Sequence, residues 1–179
     1  TENLLLMMIT DPDAVHKFIK VAAEMEKEYL KALVAAGADV IAMSDPSAST
    51  DMLSGEMFDE FALPYTKTAW EGAEGAKKIL HICGDTTILL DHMINTGADA
   101  LSIEEKVDPA KAVELVNGRA ALVGNIGVVR PLLQGTPEEC YDNAIRVKEA
   151  GFNVVAPGCG LAARVPKANI EAMVKAIKG

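Results

Sequence analysis

His81, Cys83 and Cys159 are the residues of this 179-residue chain best suited to hold a metal ion. His81 and Cys83 are two positions apart in KILHICGDT, so in an extended segment both side chains leave the same face. Cys159 lies much later, in APGCG, between glycines that allow a close backbone approach. One imidazole and two thiolates suit Zn²⁺ better than Mg²⁺ or Ca²⁺, and three protein ligands leave a fourth position for substrate. These residue types therefore predict a catalytic zinc site.

Glu104, in ALSIEE, is a fourth candidate ligand. Strand alternation places Ser102 and Glu104 on one face and Leu101 and Ile103 on the other. A carboxylate at the end of an apolar strand is costly unless it meets a metal or a hydrogen-bond donor. Glu104 is therefore predicted to be a metal ligand with a catalytic role, and Glu105 is the weaker choice because it would point the other way.

The remaining cysteine and histidines favour ordinary structural roles. Cys140 lies in TPEECYDN, at a polar helix start away from the strand ends, and is predicted to be a small buried hydrophobe. His16 and His92 fall on predicted helices among mixed neighbours, where a surface or capping role is expected.

Composition narrows the function classes. The net charge is −9 and the pI is near 4.8, so phosphate backbones and anionic lipid surfaces are poor partners. No apolar run reaches the roughly 18 residues needed to cross a bilayer, and LLLMMI is predicted to be a buried helix end or strand. Without a recognisable signal peptide a cytoplasmic location is expected. Three cysteines in that setting favour metal binding or catalysis over disulfides.

The elements that must position these residues alternate between strand and helix. Short apolar segments predict five strands, at 39–43, 78–82, 100–104, 121–125 and 153–157. Longer periodic segments predict helices at 12–36, 57–74, 86–96, 109–116, 129–150 and 166–178. Gly37, Gly97 and Gly151 each precede a strand, where glycine is expected to adopt positive φ. Repeated βα units imply a parallel sheet covered by helices.

Chain length then limits the architecture. A closed (β/α)8 barrel has eight strands and about 250 residues, so the chain is too short to be one. Either it is a single (β/α) domain over residues 1–179 that forms part of a TIM barrel, or it is an open α/β sheet. The partial barrel is favoured because no GxGxxG or GxxxxGK[ST] phosphate loop is present. A barrel would also bring the strand ends, with His81, Cys83, Glu104 and Cys159, onto one rim.

Four segments, HICGDT, SIEEKVD, GNIGVVRPLL and APGCGLAARVP, resemble the uroporphyrinogen decarboxylase superfamily. Within it they are similar to the methylcobamide:coenzyme M methyltransferases of methanogenic archaea. The similarity covers nearly the whole chain, from DPDAVHKFIK onward. It implies a TIM barrel of about twice this length, of which this chain is the C-terminal part without the first three strands. The HxC pair and the later Cys are the specific elements, since the decarboxylases lack this triad.

The resemblance implies a reaction used in methanogenesis. Zinc would sit on His81, Cys83 and Cys159, with Glu104 holding it before substrate arrives. The substrates would be coenzyme M and a methylcobamide supplied by a methylated corrinoid protein. The zinc-activated thiolate would attack the methyl group on Co(III), giving methyl-coenzyme M and Co(I) corrinoid.

Other substrate contacts are expected on the same rim. Backbone N–H groups near Asn125 or the Arg130 guanidinium could bind the sulfonate of coenzyme M, although Arg130 could equally face solvent. Asp45 and Ser47, in the loop after DVIAM, either contact substrate or corrinoid or simply form a turn.

Three alternatives stay open. The chain could belong to another zinc methyltransferase, one that uses a different thiol and a folate methyl donor, as cobalamin-independent methionine synthase does. It could be a metal-free uroporphyrinogen decarboxylase-like enzyme. It could also be a zinc-binding fragment without activity of its own, and the exposed sheet edges of an incomplete barrel predict self-association.

Overall fold

The computed structural model describes residues 2–178, and within them the chain forms five strands and eight α-helices. The strands are β1 (Val40–Ser44), β2 (Lys77–His81), β3 (Ala100–Ile103), β4 (Ala121–Ile126) and β5 (Val154–Pro157). The helices are α1 (Glu2–Thr10), α2 (Pro12–Ala35), α3 (Gly55–Phe61), α4 (Leu63–Trp70), α5 (Leu90–Asn95), α6 (Pro109–Val116), α7 (Pro137–Ala150) and α8 (Lys167–Lys178). Short 3₁₀ turns lie at Pro46–Ala48, Glu71–Ala73 and Thr87–Leu89.

The sheet is entirely parallel and its strands follow chain order, β1-β2-β3-β4-β5. A doubly wound sheet reverses its strand order at a switch point, and no reversal occurs within residues 2–178. Sequential parallel strands with helical crossovers are the arrangement of a sector of a TIM barrel. The structure therefore confirms the predicted incomplete barrel.

Both ends of the sheet are edges within the described chain. β1 pairs only with β2, and β5 pairs only with β4. Val40 on β1 is 53% exposed and Val154 on β5 is 51% exposed, whereas central strands are largely buried. The sheet thus offers two unpaired strands of the kind that attract further pairing.

The core lies between the sheet and its helices. It includes Leu80, Ile82, Leu101, Ile103, Leu122 and Ile126, all at most 3% exposed. Each such side chain stabilises the fold by roughly 1.5–3 kcal/mol through burial. Their alternation turns the intervening residues of β2 and β3, including His81 and Ser102, toward the opposite face, as predicted.

The glycines that precede three of the strands adopt the positive φ that the sequence predicts. Gly37, Gly97 and Gly151 have φ of 100°, 87° and 107°, a region where only glycine is unstrained. The last long crossover helix, α7, begins with a capping box in which Thr136 and Glu139 satisfy each other's backbone N–H groups.

Several predicted helices are shorter than expected. The 57–74 segment divides into α3 and α4 near Pro64, a residue suited to the first turn of a new helix. The 129–150 segment contains Pro131 in an irregular turn, Val128–Leu133, before α7 starts. LLLMMI lies in α1, but of its six residues only Met8 is buried, so the predicted burial of this segment is largely wrong.

The side-chain predictions outside the site had mixed outcomes. Cys140 is fully buried on α7, as expected of a small hydrophobe. His16 and His92 do not cap helices. His16 Nδ1 lies 2.8 Å from the Tyr65 hydroxyl, and His92 Nδ1 lies 2.7 Å from an Asp59 carboxylate oxygen. Both half-buried rings instead link α3 and α4 to neighbouring helices.

Among residues 2–178, none of the helices combines the length and apolarity that crossing a membrane requires.

Candidate metal centre

The carboxyl end of β2 positions two of the three predicted ligands. His81 is the last residue of β2, and Cys83 follows two residues later, just outside the strand. Gly84 has φ of 86° and turns the chain immediately afterwards. The strand is therefore one residue shorter at this end than predicted, and Cys83 stands on a loop.

Cys159 joins them from the loop after β5. The Cys83 and Cys159 sulfurs are 3.7 Å apart, the Cys83 sulfur is 3.4 Å from His81 Nε2, and all three atoms lie within 4.8 Å of one another. Zinc bond lengths of about 2.3 Å to sulfur and 2.0 Å to nitrogen, at tetrahedral angles, require separations of about 3.8 Å and 3.6 Å. The residues present therefore fit a zinc ion.

The two thiols are free, since 3.7 Å is far beyond a disulfide bond length of about 2.05 Å. Burial, then the neighbouring Cys159 thiol and last the Glu104 carboxylate together raise the pKa of Cys83 to about 11. A thiol with so high a pKa stays protonated at neutral pH without a metal. Glu104, the predicted fourth ligand, stands one residue beyond the end of β3. Its carboxylate raises the pKa of Cys83, but Glu104 is not in the group of described residues whose ligand atoms all lie within 4.8 Å of one another.

Two glycines flank Cys159, and only one is tightly packed. A Cβ atom on Gly158 would lie 3.0 Å from Glu104 Cα and 3.1 Å from Glu105 N. Gly158 N also donates to the Ile126 carbonyl at 2.8 Å. A Cβ on Gly160 would meet no atom within 4 Å. Gly158 thus lets the Cys159 loop approach the segment that carries Glu104.

Asn125 supports the same segment from β4. It is fully buried, and its amide nitrogen donates to the carbonyls of Glu104 at 3.1 Å and Val107 at 2.7 Å. These bonds close the turn that follows β3. The side-chain donors of Asn125 are therefore used within the protein.

The other predicted substrate-contact residues form no hydrogen bond with the triad among the described residues. The Arg130 guanidinium is largely exposed and pairs with Glu139 at 2.5 Å. Asp45 Oδ1 accepts from Ser47 N at 3.2 Å, so these two residues do form a turn. Burial raises the pKa of Asp45, although backbone N–H groups of Ser47 and Ala48 partly oppose this. Asp45 and Ser47 also line a mostly apolar cavity of about 230 Å³ with Met8 and other residues.

Ser102 is a site residue that the motifs do not reveal. His81 Nδ1 lies 3.1 Å from the Ser102 carbonyl oxygen and 3.1 Å from its hydroxyl. The only signal in the sequence is alternation, which puts Ser102 on the same face as Glu104.

Comparison with known proteins places these features in a family. A family profile described as "Uroporphyrinogen decarboxylase (URO-D)" matches residues 1–179. The chain is 34% identical over 173 residues to "Methylcobamide:CoM methyltransferase MtbA" from Methanosarcina acetivorans, covering 96% of this chain and 51% of that protein. It is 37% identical over 176 residues to "Methylcobamide:CoM methyltransferase MtaA" from Methanosarcina barkeri, covering 98% and 52%.

Decarboxylases are also similar. "Uroporphyrinogen decarboxylase" from Chlorobaculum parvum is 32% identical over 189 residues, covering 98% of this chain and 52% of the relative. Among solved structures, a "methyltransferase from Methanosarcina mazei" superposes with a TM-score of 0.94 at 34% identity, covering 99% of this chain and 52% of that one. The chain therefore spans about half the length of the relatives it matches.

Proposed function

This chain belongs to the uroporphyrinogen decarboxylase family, and from that premise we propose that it is part of a zinc-dependent methylcobamide:coenzyme M methyltransferase. The observation that carries the proposal is the convergence of His81, Cys83 and Cys159 at separations suited to tetrahedral zinc. Three protein ligands leave room for a substrate thiol, which is the arrangement of a catalytic rather than a structural zinc site.

Each residue of the site would have a separate role. His81, Cys83 and Cys159 would hold the ion, and Glu104 would hold the remaining position until the thiol arrives. Zinc bound there would lower the pKa of the incoming thiol enough for it to exist as thiolate at neutral pH. Once released, the Glu104 carboxylate would be free to accept the thiol proton, which is its proposed catalytic role.

The bond changes would take place on the substrates. The coenzyme M sulfur would form a bond to the methyl carbon of the methylcobamide as the carbon–cobalt bond breaks. The electron pair of that bond would stay on cobalt, which leaves as Co(I). The corrinoid would arrive on a partner protein, and the protein around the triad would orient the sulfur.

Contacts to the rest of the substrates are part of the same proposal. Arg130 would bind the sulfonate by exchanging its Glu139 partner, together with backbone N–H groups near Asn125. Asp45 and Ser47, beside the apolar cavity, would contact substrate or corrinoid. A cytoplasmic setting and a role in methanogenesis belong to the proposal as well.

The decarboxylase alternative is less favoured, since decarboxylation has no need of an imidazole and two thiols brought to zinc-binding distance. The deciding experiment is zinc-edge X-ray absorption of the purified chain, before and after addition of coenzyme M. We expect two sulfur ligands that become three on addition. An unchanged shell would indicate a structural site, and absence of zinc from protein handled without chelators would reject the proposal.

Substrate choice needs a separate assay. Methyl transfer from methylcobamide should be measured with coenzyme M and with homocysteine, using a protein of the relatives' full length that carries this chain. A preference for coenzyme M supports the proposal, and a preference for homocysteine would favour a methionine synthase-like reaction. The same assay on this chain alone tests whether half the relatives' length suffices.

A further inference from the structure

We infer that Ser102 is a positioning residue that fixes the tautomer and ring orientation of His81. The inference rests on the proposed metal centre and adds a residue to it. Two acceptor atoms of Ser102, its carbonyl oxygen and its hydroxyl oxygen, each lie 3.1 Å from His81 Nδ1.

The backbone carbonyl decides the direction of this contact. A carbonyl oxygen accepts hydrogen bonds and has no proton to donate, so Nδ1 must carry the proton. A neutral imidazole has one protonated nitrogen, which leaves the lone pair on Nε2. Nε2 is the atom that lies 3.4 Å from the Cys83 sulfur. The Ser102 contact therefore points the ligating nitrogen at the two thiols before any metal binds.

Strand register holds Ser102 in place. In the parallel sheet His81 has Ser102 beside it on β3 and Ser44 beside it on β1. Among the hydrogen bonds of the described residues, His81 pairs with Ser102 and none involves the Ser44 side chain. Ser44 is exposed at the edge of the sheet. One layer thus contains two serines flanking the same histidine, and only one of them contacts its ring.

The hydroxyl adds a second acceptor to the one that the backbone supplies. Partners of this kind usually change metal affinity by about 10- to 100-fold when removed. Because Ser102→Ala keeps the carbonyl, we expect about a tenfold loss of zinc affinity, at the lower end of that range. Ser102→Thr keeps the hydroxyl and should restore most of the affinity, and Ser44→Ala should leave it unchanged.

Two measurements test the inference without enzyme turnover. Ring-nitrogen NMR of ¹⁵N-histidine-labelled, metal-free chain should show His81 protonated at Nδ1, the less common tautomer of a free histidine side chain. Zinc affinity of the wild-type chain and the three variants should be measured by competition with a chromophoric chelator. An Nε2-protonated His81 in the metal-free wild-type chain would overturn the inference, even if the variants fail to fold. Equal losses in Ser102→Ala and Ser44→Ala would also overturn it. Failure of coenzyme M to bind would instead count against the proposed function alone.

Discussion

The sulfur atoms of Cys83 and Cys159 lie 3.7 Å apart although the residues are 76 positions apart in the chain. Each stands just beyond the carboxyl end of a strand, β2 for Cys83 and β5 for Cys159. Two intervening strands separate β2 from β5 in the sheet, so curvature of the sheet must bring their ends together. The candidate metal centre thus depends on the barrel-like curvature of the sheet.

Loss of one triad ligand should abolish tight zinc binding. We expect Cys83→Ser and Cys159→Ser each to weaken zinc affinity by more than about 100-fold, because removing a ligand costs more than removing its hydrogen-bond partner. Chelator competition with Co²⁺ and Zn²⁺ measures the effect, and the thiolate-to-cobalt absorption band reports on each sulfur. Cys140→Ala is the matched control, since this cysteine is buried on α7 and should leave metal binding intact. Equal effects from all three substitutions would contradict the assignment.

The two glycines beside Cys159 should respond very differently to the same substitution. Gly158→Ala would place a methyl group 3.0 Å from Glu104 Cα, which forces the loops apart at a cost of about 1–3 kcal/mol. Zinc affinity should fall as Cys159 moves. Gly160→Ala has open space around the new methyl group and should bind zinc normally. Equal zinc affinity in the two variants would show that the Gly158 contact does not position Cys159.

Alternation and residue chemistry predict the five parallel strands and single out the triad as a candidate, and the family resemblance then favours the triad as a zinc site. Leu80 and Ile82 are apolar and alternate with His81, so the sequence alone predicts that they face the core and that His81 faces the other side of the sheet. The Ser102 contact was not predictable, because it depends on the register of β2 against β3. Register between strands is set by packing of the whole sheet, and a parallel crossover leaves no local turn signal for it.

Asn125 illustrates a different limit. Its position in GNIGVVRP predicts that backbone N–H groups near it bind substrate, and that prediction stays open. The structure adds that its side-chain amide closes the turn carrying Glu104. A buried amide can bond to backbone or to ligand with the same chemistry, so sequence cannot distinguish the two. The breaks near Pro64 and Pro131 in the predicted helices have a signal in the sequence, since proline favours a helix start over a helix interior.

Removal of the Asn125 amide should affect both stability and the metal site. Asn125→Ala leaves two carbonyls without their donor, and we expect a loss of about 2–4 kcal/mol in unfolding free energy, measured by urea denaturation. Asn169 is the matched control. It is equally buried and donates to the carbonyls of Leu132 and Gly135, away from the triad. Asn169→Ala should cost similar stability and spare zinc affinity. An unchanged zinc affinity in Asn125→Ala would show that the turn held by Asn125 does not position the metal ligands.

The chain should self-associate through surfaces that the described residues leave uncovered. Phe18, Val21, Met25 and Tyr29 lie on one face of α2 and are each at least 60% exposed. The unpaired edge of β1 provides a second such surface. Light scattering after size-exclusion chromatography should show oligomers that grow with concentration. Met25→Lys should reduce them, while Glu149→Lys, at an exposed position on α7, should not. A monomer at every concentration would contradict this prediction.

Alkylation of the metal-free chain should show Cys83 to be an unusually unreactive thiol. Burial, and then the Cys159 thiol, raise its pKa to about 11, so at pH 8 far less of it is the reactive thiolate than in an ordinary cysteine of pKa about 8.5. We expect iodoacetamide to modify native Cys83 at least about tenfold more slowly than the same cysteine in urea at pH 8. The native rate should keep rising toward pH 11, as followed by peptide mass spectrometry.

The sign of the accompanying stability change follows from the same pKa. Because the folded-state pKa of Cys83, about 11, lies above that of an ordinary cysteine, about 8.5, its contribution to stability is fully present below about pH 8.5 and is lost as pH rises through about 11. Metal-free protein should therefore unfold in less urea at pH 11 than at pH 8, and Cys83→Ala should lessen this difference. Zinc at neutral pH must displace the Cys83 proton, so its binding should acidify a weakly buffered solution. A native alkylation rate that levels off near pH 8.5 would mean that the thiol pKa is not raised.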